Sequence, residues 1–511
     1  MIVKLLKKEN VLILLLTLAI SLSFSMIVQT EAEAKTEQHG TYYQIFVRSF
    51  YDSTGDGVGD LAGITEKLDY LNDGDPDSGE DLGVEGIWLM PIMETVSYHG
   101  YDVIDYYSVH EQYGDLEDFN ELTKKANQRG IDVIIDLPIN HTSNDHPWFV
   151  DAVSDEESEY RDYYIWEDDD TDLMETREHD DQNVWHASPT GFYYGFFWGG
   201  MPDLNYDNPE VREKIIEISE FWLEQGVDGF RIDGAKHIYP PDRYEKNFEW
   251  WEEFSTAMEE KQEDVYIVGE VWDDADVVAP YFEVFTSNFN FELAENIVNA
   301  VRNNQAEPIA NSIDSIYQLY QEELTDIDYI DAPFLTNHDQ DRVMSELDGD
   351  DKQAKLAASI YLTMPGNPYI YYGEEIGMEG EKPDERIREP FQWSDGLKDG
   401  ETTWQSAFYN QGSTSVEEQK ARDDSLLSHY QKLIQLRNDN SLFYDGEVEV
   451  LSKEAEELLV YRRYDEQEEF IVYHNLAESP VDISLDDKEV LFSSQEEIKG
   501  ELMPYQTLIL K

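Results

Sequence analysis

The sequence predicts an α/β protein built on a (β/α)8 barrel of the TIM type, with a small domain inserted after strand 3 and a C-terminal antiparallel β-sandwich. Short β-rich segments alternate with amphipathic helical segments through most of residues 35–440. Residues 141–200 form a polar, aromatic and acidic connection that is too long for a barrel loop. From about residue 441, strand-like runs follow one another without helices between them. The first pattern is typical of parallel strands joined by helical crossovers, and the last of a sandwich.

Eight segments have the composition of barrel strands. They are residues 41–47, 86–91, 131–137, 229–233, 265–270, 287–291, 332–337 and 368–372. Helices are predicted between them, for example over residues 116–128, 209–224, 249–261 and 352–363, because apolar residues recur there at helical spacing. We therefore assign residues 35–140 and 201–440 to the barrel, 141–200 to the inserted domain and 441–511 to the C-terminal domain.

The first 34 residues have the order of an export signal. Lys4, Lys7 and Lys8 precede an apolar run over residues 11–28, and a small-x-small pattern ends at Ala34. This order predicts cleavage after Ala34 and a secreted, extracellular protein that does not stay in a membrane. The alternative is an uncleaved anchor, because the run is near the shortest length that spans a bilayer.

The charge balance is strongly acidic, with 36 Lys and Arg against 112 Asp and Glu and a formal net charge of −76. Such a surface repels nucleic acid and anionic membranes, so neither is expected as a partner. It also repels itself unless salt screens it, and at 1 M salt the Debye length is about 3 Å. We infer a salty habitat; the alternative is an ordinary acidic extracellular protein. Cysteine is absent, so disulfides do not contribute, and we expect a monomer.

Acidic and imidazole side chains follow four of the predicted strands, which in a (β/α)8 barrel end at one rim. A single acidic strand end is explained by a cap on a neighbouring loop. Four together are not, because clustered carboxylates repel each other and raise each other's pKa. After the third, fourth, fifth and seventh strands the side chains are, in that order, Asp136, Asn140 and His141; Asp233, Lys236 and His237; Glu270; and His338 and Asp339.

Two of these carboxyl groups suit the cleavage of a glycosidic bond, which needs one group to attack or activate water and one to protonate the leaving oxygen. Arg231 stands two residues before Asp233, so both side chains face the same way, and the cation favours an ionised nucleophile. Glu270 has no such neighbour in sequence, which favours a higher pKa and a role as acid and then base. A carboxyl separation of about 5 to 5.5 Å means retention of configuration, and roughly 6.5 to 9.5 Å means inversion.

The four strand ends resemble the signature regions of the α-amylase family, glycoside hydrolase family 13, and the resemblance covers nearly all of the chain after the export signal. It implies retaining hydrolysis of α-glucosidic bonds in starch and maltooligosaccharides. Asp233 is then the nucleophile, Glu270 the acid/base, and Asp339 the carboxylate that supports the distorted sugar of the transition state. Arg231 orients the nucleophile. The residues implied to contact the sugar being cleaved are His99, Tyr101, His141 and His338.

Tyr101 taken alone also fits a core aromatic, but the neighbouring His99, Gly100 and Asp102 favour a site loop. A non-catalytic relative that kept the barrel is disfavoured, because such proteins lose one of the three carboxylates and this chain has all of them. Fold alone does not prove function.

The position of the chain within the family is less sharply defined. Residues 201–205 resemble a fifth region in a form between α-amylases and oligo-1,6-glucosidases. Lys236 and His237 follow the nucleophile as in α-amylases, where the pair contacts glucose units on the leaving side, which favours an endo-acting α-1,4 hydrolase. Asp102 and Arg388 resemble a pair that holds the non-reducing end in exo-acting α-glucosidases, although a simple salt bridge explains Arg388 equally well. An exo-acting or α-1,6-cleaving glucosidase and a transglycosylase are therefore the alternatives.

A first calcium site is predicted in residues 52–60, where carboxylates alternate around glycines at the spacing by which one loop wraps calcium. The loop resembles the calcium loop of oligo-1,6-glucosidases and related amylases. Thr54 replaces the usual Asn or Asp, and Gly63 stands where a Glu is expected, so modest affinity is predicted. The alternative is a solvated acidic turn. The implied ligands are Asp52, Thr54, Asp56, Val58 and Asp60.

A second calcium site is implied by the resemblance alone. Its ligands are Asn140, Asp203 and the main-chain oxygen of His237, between the barrel and the inserted domain. The remaining ligand is expected from the inserted domain, where the sequence does not single it out.

Overall fold

A computed structural model describes residues 39–511, except residues 77, 178–180, 326, 395, 397, 399, 413–414, 453–455, 486–487 and 496–499. The predicted export signal at 1–34 lies outside the described residues and stays a prediction. Among the helices that the structure describes, none combines the length and apolar composition needed to cross a membrane.

Most strands are short and buried, and the first twelve belong mainly to the barrel while the last seven belong to the C-terminal domain. They are β1 Tyr42–Ile45, β2 Gly86–Leu89, β3 Met93–Thr95, β4 Val103–Val109, β5 Asp132–Leu137, β6 Trp185–Ser188, β7 Gly191–Tyr194, β8 Gly229–Ile232, β9 Tyr266–Gly269, β10 Ser287–Phe289, β11 Ile330–Ala332, β12 Tyr369–Tyr371, β13 Glu447–Ser452, β14 Leu458–Tyr464, β15 Glu469–Asn475, β16 Val481–Asp482, β17 Val490–Ser493, β18 Glu501–Leu502 and β19 Thr507–Leu510.

The α-helices alternate with the barrel strands. They are α1 Val47–Phe50, α2 Leu61–Leu71, α3 Leu116–Asn127, α4 Pro147–Ser154, α5 Pro209–Glu224, α6 Glu245–Lys261, α7 Ala275–Val278, α8 Phe291–Asn303, α9 Ala306–Glu323, α10 Val343–Glu346, α11 Asp351–Tyr361, α12 Asp384–Ile387, α13 Val416–Lys420, α14 Leu426–Asn438 and α15 Leu442–Asp445. Short 3-10 turns span Arg161–Tyr163, Ala235–His237, Pro241–Arg243, Ala279–Glu283 and Glu374–Ile376.

Local sequence explains where the long helices begin. Asn208 accepts the backbone N–H of Glu210, and Pro209 occupies the first turn of α5, where its missing N–H is not needed. Asp115 caps α3 in a capping box that it closes with Asp118. Each such cap stabilises its helix by about 1 kcal/mol. The caps therefore hold the crossover helices at defined ends beside the barrel strands.

The eight-stranded sheet confirms the predicted (β/α)8 barrel. Its strands are parallel and follow the order β11, β10, β9, β8, β5, β2, β1, β12. The gap between its two edges is bridged by backbone hydrogen bonds, since the Asn367 N–H lies 2.7 Å from the Asp331 carbonyl and the Tyr369 N–H 2.9 Å from that of Pro333. Because all strands run the same way, their C-terminal ends form one rim, where the site lies.

Two predicted strands differ from the observed ones. The seventh strand is Ile330–Ala332 rather than residues 332–337, because Pro333 has no N–H to continue the ladder. The first strand ends at Ile45, and Val47–Phe50 turns into a short helix instead of extending the strand.

The connection after β5 contains its own elements, as predicted. Helix α4 is followed by the hairpin of β6 and β7, which pair in an antiparallel register. A small apolar cluster of Val184, Tyr194 and Phe196 lies beneath the hairpin. Isolated bridges join His141 to Asp203 and Tyr164 to Leu204, so the segment returns to the barrel rim close to the point where it left.

The C-terminal region forms an antiparallel five-stranded sheet in the order β13, β14, β15, β19, β17, with a second small sheet of β16 and β18. This confirms the predicted antiparallel C-terminal domain. Arg463 of β14 is completely buried and donates to the carbonyl oxygens of Thr363 at 2.6 Å and Leu442 at 2.9 Å. These bonds attach the sheet to the barrel. The limits at residues 140, 200 and 440 stay predictions.

Candidate active site

Arg231 lies at the centre of the candidate site. It belongs to β8, its side chain is completely buried, and its guanidinium contacts one carboxylate at the end of β8 and one from each of the two neighbouring strands, β5 and β9. Nη1 is 2.7 Å from Oδ1 of Asp136 and 2.8 Å from Oδ1 of Asp233, and Nη2 is 2.7 Å from Oε1 of Glu270. The structure therefore brings the predicted nucleophile and the predicted acid/base onto one cation.

Asp136 is a site residue to which the sequence analysis assigned no role. It ends the apolar run of β5, and its side chain is completely buried. Its Oδ2 accepts hydrogen bonds from Tyr101 at 2.9 Å and from the indole of Trp88 at 3.2 Å. The sequence did contain a signal for Asp136, because it is a carboxylate that directly follows three apolar strand residues. Asp136 thus links the aromatic wall of the site to Arg231.

The electrostatics of Asp233 and Glu270 differ from the prediction, which gave the charge of Arg231 to Asp233 alone, because Arg231 contacts both carboxyl groups. Burial raises the pKa of Asp233 to about 7, and Arg231 opposes this rise without overcoming it. Burial likewise raises the pKa of Glu270 to about 7. Arg231 does not serve Asp233 alone, because Asp136 and Glu270 share its charge. Three carboxyl groups around one cation favour a bound proton near neutral pH.

Asp339, after β11, is the most strongly ionised carboxyl group of the site. Its Oδ1 is 2.8 Å from Nη2 of Arg388, and its Oδ2 is 3.0 Å from Nε2 of His338. Burial raises its pKa, but His338 and Arg388 together hold the pKa well below the ordinary value. Asp339 therefore carries a fixed negative charge beside the two central carboxyl groups.

Four aromatic or imidazole residues form one wall. Tyr101 stacks on His338 at 5.5 Å with an interplanar angle of 9°, and His99 stacks on Tyr101 at 6.1 Å. Nε2 of His141 is 3.0 Å from the Tyr101 carbonyl. Burial lowers the pKa of His141 and of His338 to about 4, so both rings are neutral at physiological pH. All four predicted sugar-contacting residues are thus adjacent.

Lys236 and His237 follow β8 in a 3-10 turn. The Lys236 ammonium is 2.7 Å from the carbonyl of Trp272 and 2.8 Å from Oδ2 of Asp273. Trp272 comes two residues after Glu270, and its ring is 46% exposed. Lys236 is therefore held next to the acid/base candidate. The His237 ring stacks on Phe196 of the inserted segment at 4.2 Å.

The structure does not join Asp102 to Arg388. Oδ1 of Asp102 accepts hydrogen bonds from the Thr95 hydroxyl at 2.6 Å and from the Ser97 N–H at 3.3 Å. Arg388 instead donates to Asp339 and, at 3.2 Å, to Asp384. The bond to Asp339 places Arg388 at the site, and both explanations of Arg388, a salt bridge and a hold on the non-reducing end, stay predictions.

The second predicted calcium site is compact. The Asn140 amide donates to the His237 carbonyl, and Asp203, which is only 2% exposed, accepts the Phe196 N–H at 3.0 Å. Burial raises the pKa of Asp203 well above its ordinary value, and only neutral groups oppose that rise. A buried carboxylate with neutral partners suits a cation. The Asn140 side chain turns its amide nitrogen, and not its oxygen, to the His237 carbonyl, so calcium at this site stays a prediction.

The first predicted calcium loop closes on itself. Both oxygens of Asp52 accept backbone N–H groups at 2.7 Å, from Gly55 and Gly57, while Asp60 accepts those of Ser53 at 2.9 Å and Gly63 at 2.6 Å. The donors are of the type that calcium prefers. Within the described residues, however, no cluster of three or more His, Asp or Glu side chains is placed to hold a metal ion. Calcium in this loop stays a prediction.

The arrangement is chemically suited to acid and nucleophile chemistry on one substrate bond. Three carboxyl groups share a guanidinium, a fourth, ionised carboxylate stands beside them, and aromatic and neutral imidazole side chains line the wall. Such a set stabilises positive charge that develops on a bound sugar, because its members are preorganised and largely screened from water.

Comparisons with known proteins agree with this geometry. The family model described as "Alpha amylase, catalytic domain" matches residues 44–446. Alpha-amylase 3 of Dictyoglomus thermophilum is 44% identical over 484 residues, which is 93% of each chain. A 4-alpha-glucanotransferase of Thermotoga neapolitana is 39% identical, covering 85% of this chain and 95% of its own. The crystal structure of an alpha-amylase from H. orenii aligns with a TM-score of 0.88 at 55% identity, covering 93% of this chain and 99% of that one.

The matched family region extends from β1 through the barrel to α15 and thus contains every carboxylate described above. One of these relatives is named an amylase and another a glucanotransferase. The comparisons therefore establish the family, but not which glucosidic bond is cleaved or whether water or a sugar accepts the glycosyl group. The chain belongs to the α-amylase family of glycoside hydrolases.

Proposed function

We propose that the protein is a secreted, endo-acting α-amylase that hydrolyses α-1,4-glucosidic bonds in starch and maltooligosaccharides with retention of configuration. The observation that carries the proposal is the convergence of Asp233 and Glu270 on Arg231, next to the ionised Asp339. A retaining glycosidase needs a nucleophile and an acid/base on one bond, and a negative charge beside them stabilises an oxocarbenium-like transition state.

In the first step, Asp233 attacks the anomeric carbon while Glu270 gives its proton to the glycosidic oxygen. The bond to the leaving sugar breaks, and a covalent bond to Asp233 forms. The shared proton belongs on Glu270 before this step. Arg231 contacts both carboxyl groups, but it donates a hydrogen bond only to Asp233, at 2.8 Å, whereas its 2.7 Å contact with Glu270 is an ion pair outside hydrogen-bond geometry. Hydrogen bonds from a cation favour the ionised form of Asp233.

In the second step, the ionised Glu270 removes a proton from water, and the oxygen of that water attacks the anomeric carbon. The bond to Asp233 breaks, its carboxylate is restored, and Glu270 is again protonated. Two displacements at one carbon restore the original α configuration. His338 and His141 are neutral, so neither ring adds positive charge beside the developing oxocarbenium ion in either step.

Endo-action on α-1,4 bonds is supported by Lys236, which bonds the Trp272 carbonyl and Asp273 shortly after Glu270 in sequence. The resemblance to α-amylases implies that Lys236 contacts glucose units on the leaving side. Asp102 and Arg388 each have protein partners, and an exo-acting glucosidase in which they hold the non-reducing end is the alternative that the products decide. A transglycosylase is the second candidate, because the Thermotoga neapolitana relative is a 4-alpha-glucanotransferase.

We propose calcium as a structural ion held by Asn140, Asp203 and the His237 carbonyl, with the 52–60 loop as a second location. When bound, the ion supplies positive charge to the buried Asp203 and joins the inserted segment to the barrel. Export is supported by the sequence of residues 1–34, and a salty extracellular habitat by the net charge of −76.

The products released from soluble starch test the proposal. In high salt with calcium, we expect a mixture of short maltooligosaccharides and a rapid loss of iodine staining, because internal cleavage shortens chains quickly. A Glu270→Gln variant serves as the blank and should release none. Glucose as the sole early product, with staining preserved, would instead assign an exo-acting glucosidase, and lengthened oligosaccharides without new reducing ends a transferase.

Replacing Asp203 by Asn is expected to stabilise the protein without calcium and to remove the part of the calcium response that comes from this site. The folded-state pKa of Asp203 is raised, so its contribution to stability is present below the ordinary pKa of about 3.9 and is lost as pH rises through the folded value. In EDTA at pH 7, the variant should be more stable by about 3 kcal/mol, the usual scale for an uncompensated buried charge.

Differential scanning calorimetry with and without calcium measures both effects. At 100 times the dissociation constant of this site, calcium should stabilise the wild type by about 2.7 kcal/mol more than it stabilises Asp203→Asn. Asp207→Asn is the matched control, since Asp207 is half-exposed and pairs with Arg243 and Lys246; it should keep the calcium response. Equal calcium responses in wild type and Asp203→Asn would contradict the assignment.

A further inference from the structure

Gln44 contacts the active site but has no role in the mechanism described so far. It belongs to β1 and is 2% exposed. Its Nε2 lies 2.7 Å from Nδ1 of His338, a residue 294 positions away in sequence. An amide nitrogen carries hydrogen atoms and no free acceptor pair, so Gln44 donates and Nδ1 of His338 accepts.

The opposite nitrogen of His338 points to the same tautomer. Nε2 is 3.0 Å from Oδ2 of Asp339, an ionised carboxylate that only accepts. Nε2 is also 2.5 Å from the Tyr101 hydroxyl. That hydroxyl gives its one proton to Asp136 at 2.9 Å, so it accepts from His338. Both neighbours therefore require a proton on Nε2.

We propose that Gln44 is a positioning residue that keeps His338 as the neutral tautomer protonated on Nε2, with this single N–H turned toward Asp339 and the substrate. The inference rests on the proposed function, because it assigns a role within that mechanism. Nδ1 can accept the Gln44 hydrogen bond only if it carries no proton. Gln44 therefore favours the neutral ring over the doubly protonated one.

The charges around His338 explain why such a device is needed. Asp339 favours a positive ring, and Asp136 acts in the same direction through Tyr101. Arg388, which donates to the His338 carbonyl at 2.9 Å, and Arg231 oppose a positive ring, as does burial. A positive ring would neutralise Asp339 and weaken its support of the cationic transition state, so kcat would fall more than substrate binding.

Two variants of Gln44 separate tautomer control from packing. Gln44→Met keeps the size and removes the donor, and kcat should fall about tenfold, the scale of one lost hydrogen bond. Gln44→Glu replaces the donor by an acceptor that requires a proton on Nδ1, and kcat should fall about 100-fold. For both, KM on an aryl maltooligoside should stay within about twofold. Gln419→Met is the matched control, a buried glutamine that bonds Ile376 and Leu427; it should lower stability and leave kcat unchanged.

The spectroscopic readout is the imidazole nitrogen-15 spectrum of protein labelled at histidine, with the His338 signals identified by their loss in His338→Asn. In the wild type, we expect a bare Nδ1 and a protonated Nε2 from pH 5.5 to 8. In Gln44→Glu, both nitrogens should be protonated over the same range. A wild-type ring protonated on Nδ1 overturns the inference even if neither variant folds, as does a Gln44→Glu spectrum identical to that of the wild type.

The outcomes also separate this inference from the proposed function. If the wild type does not hydrolyse α-glucans, the function fails while the spectra still decide the tautomer. If the wild type is active and the Gln44 variants change kcat no more than Gln419→Met does, the role of Gln44 fails and the function stands.

Discussion

Replacing Asp233 by Asn should lower kcat on every α-glucan by about 10⁴-fold or more, because the variant lacks the carboxylate that forms the covalent bond in the proposed mechanism. Glu270→Gln should behave differently. On natural substrates it should be as inactive as Asp233→Asn, since the leaving sugar needs a proton. On an aryl maltooligoside with an activated phenol, the first step needs no acid, so a burst of phenol should precede a slow second step. Stopped-flow absorbance measures the burst.

Azide turns this difference into a test of stereochemistry. A small anion replaces the base-activated water, so azide should restore turnover of Glu270→Gln and yield the α-glycosyl azide. A β-glycosyl azide, or rescue of Asp233→Asn instead of Glu270→Gln, would exchange the two roles. Asp331→Asn is the matched control for loss of a buried carboxyl: Asp331 lies in β11 and bonds Tyr317 at 2.6 Å and Asn290 at 3.0 Å. It should lower stability and leave kcat unchanged.

The barrel was predictable because its signal is local. Most strands are short and rich in apolar or aromatic residues, and seven of the eight predicted strands contain the observed strand. The seventh strand was predicted too late in the chain, because residues 332–337 read as one largely apolar run. The observed strand ends at Ala332, since Pro333 has no N–H to donate to the sheet. Asp233 and Glu270 were found for the same reason, since each directly follows an apolar strand.

The contacts inside the site were not predictable in this way. Spacing on one strand showed that Arg231 and Asp233 face the same side, but not that Arg231 also reaches Asp136 and Glu270 from neighbouring strands. The shared charge changes the acid–base balance of all three carboxyl groups. Gln44 gave no signal, because its partner His338 is brought near only by closure of the barrel. The hydrogen bonds from Thr95 and Ser97 to Asp102 were likewise not predicted from the sequence.

Removing salt should unfold the protein, and this is the largest effect expected on stability. With 36 basic and 112 acidic residues, most carboxylates have no cation of their own even if every Lys and Arg is paired. At about 10 mM ionic strength the Debye length is about 30 Å, so these charges repel one another across the whole surface, whereas at 1 M it is about 3 Å. Near-UV circular dichroism at 25 °C, with calcium held constant, should show loss of the folded signal on dialysis into dilute buffer.

If salt acts by screening charge, its effect should depend on ionic strength and not on the activity of water. Magnesium chloride should restore the fold at a lower concentration than sodium chloride, whereas sucrose at equal osmolality should restore it less. A variant with Glu252, Glu259 and Glu260 of α6 replaced by Gln removes three exposed charges and should need less salt to fold. An unchanged spectrum in dilute buffer would mean that local ion pairs, such as those of Arg462 with Glu449 and Glu469, outweigh the net repulsion. The acidic surface would then serve solubility rather than the folded state.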